Sequence, residues 1–193
     1  MKSPFNFEIT AEGKLSMNFL QHHISDFAAA MDFIRQLPYG RNKNKKDLIT
    51  LFKDQCGTCG TKHAVLKELA DENGYHHVKL MLGIYKMNGR NSPRVLNVLA
   101  KANLDYIPEA HNYLKIDDEI IDCTFPNTTG NAFSHDLLKE IEIQPGQITD
   151  FKVAFHQAYL KEWLKEQSLS LSPEELWATR EDCIAALSHS YHP

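Results

Sequence analysis

Between residues 57 and 124 the apolar side chains change period, and that change restricts the architecture more than any other feature of the chain. From Cys59 onward, Ala64, Leu66, Leu69 and Ala70 recur at helical intervals as far as Asn73-Gly74, a natural C-terminal stop. Directly afterwards Val78, Leu80, Leu82 and Ile84 alternate with Lys79, Met81, Gly83 and Tyr85, the period-two pattern of a strand with one buried face. Two more strand runs, 112–116 and 119–124, flank Asp117-Asp118, and two residues between strands make a hairpin turn. A helix, a strand and a hairpin in succession predict an α+β chain with helices packed on a small antiparallel sheet.

The flanking segments add helices. Ser25-Asp26 opens one that carries Phe27, Ala30, Met31, Phe33, Ile34 and Leu37 inward and ends at Leu37-Pro38-Tyr39-Gly40, because proline disfavours helix at the residue before it. A second is expected over 45–53, and Ser92-Pro93 starts a short one reaching Leu99. The stretch 5–20 has only a loose apolar pattern and receives no assignment. After Pro126 come a polar loop over 127–131, a Pro145-Gly146 turn and two closing helices. The first, 150–167, sets Phe151, Phe155, Tyr159 and Trp163 four residues apart, which reads as core packing. The second begins at Ser172-Pro173-Glu174-Glu175, a capping box, with Leu176, Trp177, Cys183, Ile184 and Leu187 on its apolar face. At 193 residues the chain fits one domain, 1–193, with a core at about 45–126 and a C-terminal helical extension at about 132–190.

A formal charge of −4 supplies no electrostatic footprint for nucleic acid. The basic run Arg41, Lys43, Lys45 and Lys46 is diluted by Asp47 and Asp54 and reads as a solvated helix entrance. No stretch approaches the roughly 18 apolar residues of a membrane helix, and the N-terminus lacks a basic region leading into an apolar run, so a cytoplasmic protein without membrane contact is expected. The four cysteines, Cys56, Cys59, Cys123 and Cys183, are then expected as thiols.

One of them is placed for chemistry. In Gly57-Thr58-Cys59-Gly60 the cysteine stands where a glycine-punctuated loop gives way to a helix, whose open N–H groups and dipole favour a thiolate. A thiol is a weak nucleophile until a neighbouring imidazole takes its proton and a third group holds that imidazole. His111 and Asp122 follow on the hairpin. A two-residue turn pairs Ile116 with Glu119, Tyr113 with Asp122 and His111 with Thr124. His111 and Asp122 then share a face at a diagonal separation of roughly 7–8 Å. Cys123 and Cys183 sit within apolar runs and read as packing. Cys56 and Cys59 have the spacing of half a zinc site, with His63, His76 and His77 nearby, but no second half exists, so no metal is assigned. A redox reading of this CxxC requires a preceding strand, and the preceding segment looks helical.

These residues resemble a transglutaminase-like domain, a branch of the papain-like cysteine enzymes. The resemblance rests on Gly57-Thr58-Cys59, a helix ending at Gly74, the strand 78–87, the His111-led strand and Ile121-Asp122-Cys123-Thr124, with 52 residues from Cys59 to His111 and 11 from His111 to Asp122. It implies a papain-like core with extra C-terminal helices, Cys59 as nucleophile, His111 as general base and then acid, and Asp122 as orienting carboxylate. The implied activity is acyl transfer or amide hydrolysis on a peptide, protein or small amide, without a cofactor. A catalytically degenerate binding domain and an arylamine N-acetyltransferase-like transfer are the alternatives. The chain departs from the family where Asn112-Tyr113 replaces the usual Ala-Trp or Ser-Trp pair, and where His63 follows Cys59 by four residues. Gln55 resembles the papain glutamine that donates to the oxyanion, at a shorter spacing. Gln55, His63 and Asn112 are therefore pocket or oxyanion candidates beside the backbone N–H of Cys59.

Overall fold

The computed structural model of the chain describes residues 5–127, 131–167 and 169–188. Its centre is helix α4, Cys59–Glu72, which follows α1 (Lys14–Gln21), α2 (Phe27–Gln36) and α3 (Thr50–Asp54). The caps explain where these helices stop and start. Asp26 accepts the Ala29 N–H at 2.9 Å and starts α2. α4 ends one residue before Asn73, and Gly74 takes the left-handed φ of 82° that a helix exit favours. α1 has no cap of its own. The Glu72 carboxylate receives its Leu15 and Ser16 N–H groups at 3.0 and 2.7 Å, and a side chain at Gly13 would strike that carboxylate.

The expected helix over 45–53 is replaced by turns, with only α3 helical. Asp47 and Asn44 side chains accept the Ile49 and Lys46 N–H groups, and these local bonds compete with a helix ladder. The short helix after Pro93 forms as a 3₁₀ turn, Pro93–Val95, running into α5, Leu96–Lys101.

The sheet has four antiparallel strands: β1 (Lys79–Asn88), β2 (Tyr106–Ile116), β3 (Glu119–Ile121) and β4 (Leu137–Ile143), in the order β3-β2-β1-β4. The β2–β3 turn forms at Asp117-Asp118, both at positive φ, 48° and 68°, the two-residue geometry that matches strand twist. Ile116 faces Glu119 as the sequence predicts, but the ladder ends at Leu114 opposite Ile121. β2 also begins earlier than predicted, because β1 pairs it along its whole length from Asn88–Tyr106 to Lys79–Lys115. His111 therefore lies inside a strand, opposite Gly83, rather than at a strand entrance. β4 is not marked by the sequence pattern. It follows α6 (Asn131–Ser134) and pairs with the free edge of β1. Residues 128–130 of the expected polar loop lie outside the described residues.

β1 is covered on both faces, not one. Leu80, Leu82 and Ile84 join the core under α4, α1 and α2 with Phe19, Phe27, Leu66 and Leu69. Met81, Tyr85 and Met87 join a second core with Leu99, Leu160, Trp163, Leu176 and Cys183, supplied by α5 and by the closing helices α7 (Asp150–Gln167) and α8 (Pro173–Ser188). The buried stripe of α7 is His156, Leu160, Trp163 and Leu164. Phe151, expected in that stripe, is 41% exposed. The capping box of α8 forms reciprocally, Ser172 N–H to Glu175 and Glu175 N–H to Ser172, at 2.8 and 3.1 Å. The described architecture is α+β, a small antiparallel sheet between two helical layers.

Candidate active site

Three elements converge at the first residue of α4. Thr58 is the N-cap residue, and its side chain makes no cap bond, so it leaves the first-turn N–H groups uncovered where Thr58 to Thr61 line a cleft. β2 brings His111 against the Cys59 thiol, and the chain leaving β3 brings Asp122, whose Oδ2 lies 3.0 Å from His111 Nε2. With Nε2 committed to Asp122, Nδ1 is the ring nitrogen left for the sulfur. Asp122 Oδ1 accepts the Thr124 N–H at 2.8 Å, which fixes the carboxylate although it lies one residue beyond the ladder.

The electrostatics follow from burial and partners. Burial raises the Cys59 pKa, but Lys152 and His111 outweigh it and bring the thiol down to about 6. Burial works against the His111 cation, yet Asp122 and the thiolate reverse that and hold its pKa up at about 10. Burial likewise opposes the Asp122 anion, but His111 overcomes it and drives the carboxyl below its usual range. The pair rests as thiolate and imidazolium and titrates as a unit. Phe133 meets the His111 ring edge-on at 4.8 Å, and Tyr85 and Tyr113 complete its aromatic surround at 5.9 and 6.2 Å. By contrast, burial pushes the Cys123 and Cys183 thiols up to about 12, as inert core thiols require.

The remaining candidates divide. Asn112 is fully buried beneath the site. Its amide donates to the Met81 carbonyl at 3.0 Å, and its backbone N–H is one of the influences that lower the Cys59 thiol pKa. His63 is not in the cleft. It is fully buried, and its Nε2 accepts the Cys123 N–H at 2.7 Å, so its Nδ1 must carry the proton donated to the Cys59 carbonyl at 2.8 Å. Burial lowers its pKa to about 4, which makes it a neutral strut between α4 and the Asp122 segment, not a base. Gln55 is also elsewhere. It takes a left-handed φ of 52° past α3, is exposed, and donates to the Phe52 carbonyl, which turns its amide away from an oxyanion. Cys56 remains a thiol with its pKa raised by burial, and among the described residues no three His, Cys, Asp or Glu side chains cluster as metal ligands do.

Lys152 is the group that sequence reasoning missed. It stands in the first turn of α7, 2.7 Å from Asn112 Oδ1 and 3.5 Å from Cys59 Sγ. Nothing in its neighbourhood distinguishes it from a surface lysine, and the 93-residue separation from Cys59 is bridged only by the fold. A buried lysine one turn into α4, Lys62, has a different task. It donates to the Leu37 and Thr124 carbonyls at 2.6 and 2.7 Å and ties down the segments that wall the site.

Two clefts meet at Cys59. One, of about 100 Å³, contains His111 and Asp122 and is walled by Tyr39, Tyr85, Phe125 and Phe133. The other, of about 270 Å³, opens on the start of α4 and is bordered by Lys45, Lys152, Glu109 and Arg180. Comparison with protein-family models, with curated proteins and with solved structures returned no match.

Proposed function

We propose that the chain is a transglutaminase-like cysteine enzyme of papain-like architecture that transfers or hydrolyses acyl groups at an amide bond. The observation that carries this reading is the row Asp122–His111–Cys59, ending in a sulfur that faces two clefts. The thiolate attacks the amide carbon, and the oxyanion that develops lies beside the open N–H groups of the α4 start and the Lys152 ammonium. Collapse breaks the C–N bond while the His111 imidazolium gives its proton to the departing amine, leaving an acyl thioester on Cys59. His111 then takes a proton from water or an acceptor amine, which attacks the thioester and releases the thiolate. Asp122 keeps the ring oriented and stabilises its cation throughout, the role of the third member in such triads.

The test is the pH dependence of iodoacetamide alkylation at each cysteine, followed by mass spectrometry on the wild type and on His111→Ala. The expected result is that Cys59 alone reacts fast near pH 6 to 7, and that the His111 change removes this advantage. If Cys59 reacts no faster than a free thiol with a pKa of about 8.5, catalysis falls and a domain that binds a peptide or amide without turnover takes its place.

A further inference from the structure

The larger cleft beside Cys59 holds charges that the triad does not use. Arg41, Lys45, Lys152 and Arg180 border it, against the carboxylates Glu109 and Glu181. The guanidiniums and carboxylates satisfy one another. Arg180 Nε donates to Glu109 at 2.8 Å and Arg180 Nη1 to Glu181 at 2.7 Å, while Arg41 reaches Glu181 at 2.6 Å. Neither lysine joins that network, and among the described residues neither has a carboxylate within ion-pair distance. Lys152 instead spans Asn112 and the Cys59 sulfur. Lys45 is half-buried, and after burial itself the nearness of Lys152 is the main cause that depresses its pKa. In the resting site the thiolate offsets these two ammoniums. Acylation makes the sulfur neutral, and two like charges then share a partly desolvated cleft whose carboxylates, Glu109 and Glu181, are already engaged by Arg180 and Arg41.

We propose that this cleft binds a carboxylate or phosphate carried by the acyl portion of the substrate, an assignment that rests on Cys59 being the nucleophile. The orientation follows from the proton. His111 borders only the smaller, aromatic-walled cleft, and the leaving amine must receive its proton from His111. The amine side therefore occupies the space among Tyr85, Phe125 and Phe133, and the acyl chain runs past the start of α4 toward Lys45. When the S–C bond forms and the C–N bond breaks, the thiolate charge is lost and the acyl anion replaces it opposite Lys45 and Lys152.

Iodoacetate and iodoacetamide deliver the same carbon to a thiol, with and without a carboxylate. Their rates at Cys59 are compared on the intact protein at pH 7, each relative to glutathione in the same buffer. The expected result is a preference for iodoacetate about tenfold above that of glutathione at low salt. That preference shrinks with ionic strength, collapses in Lys45→Gln and survives in Lys45→Arg. Competition by succinate marks the group as a carboxylate, and competition by inorganic phosphate marks it as a phosphate. Fast reaction with iodoacetamide but a glutathione-like ratio overturns the anion site and leaves the nucleophile intact. Slow reaction with both reagents overturns the nucleophile and the anion site together.

Discussion

At Cys59 a single thiol is poised by groups from three separate parts of the chain, and each has its own measurable signature. Lys152 is the largest influence that lowers the thiol pKa. Lys152→Met is expected to raise the pH midpoint of Cys59 alkylation by about one unit, a tenfold loss of rate below that midpoint, because one unit corresponds to roughly 1.4 kcal/mol. Lys152→Arg keeps the charge and is expected to restore most of the rate, although the bond to Asn112 changes geometry. His63 makes a second residue-scale prediction. Its folded pKa of about 4 lies below the ordinary 6.5, so the unfolded chain takes up a proton that the folded chain refuses. The stability contributed by the neutral ring is whole above pH 6.5 and falls away as the pH drops from 6.5 to about 4. Urea midpoints over that range are expected to decline in the wild type, by an amount on the order of 3 kcal/mol from this group. The decline is expected to be shallower in His63→Gln, whose amide can donate to the Cys59 carbonyl and accept from Cys123. A parallel decline in both proteins would show that other groups carry the acid sensitivity.

Helix α1 shows how an element can depend on a residue far away in sequence. Its N-cap is Gly13, with no side chain to offer, and its first N–H groups are received by Glu72 at the other end of α4. Glu72→Ala is expected to lower stability by about 1–2 kcal/mol, the typical cost of losing a cap, and to speed hydrogen exchange first at Leu15 and Ser16. Unchanged protection at those amides would mean that α1 is held by its apolar face alone. The sequence marked α2, α4, α7 and α8 because each carries its own start or stop: Asp26, the glycine after Asn73, the Pro145-Gly146 turn and the Ser172 box. It left α1 unassigned because its cap is tertiary. It also placed a helix over 45–53, where Asp47 and Asn44 bond their own neighbours instead.

For the molecule as a whole, the closing helices are part of the site rather than an addition to it. They cover the second face of the sheet, bring Lys152 to the sulfur, and set Arg180 on the buried carboxylate of Glu109. Arg180→Met would leave that carboxylate between two clefts with only the His156 ring, 3.9 Å away, as a partner, and a loss of about 3–5 kcal/mol in the unfolding free energy is expected, as for other broken buried pairs. Pairing the change with Glu109→Gln is expected to recover much of that loss, and no recovery would locate the defect in packing instead. What the sequence determined alone was local: the helix opening at Cys59, the period-two run of β1, the Asp117-Asp118 hairpin and the order of Cys59, His111 and Asp122. Each depends on residues that are neighbours in the chain, so spacing and turn chemistry suffice to read it. The tertiary structure decided the pairing of β4, the burial of both faces of β1, the outward turn of Gln55, the sequestering of His63 and the arrival of Lys152. Those outcomes depend on which surfaces meet across dozens of residues, and burial and charge act on distance in space, which spacing along the chain does not encode.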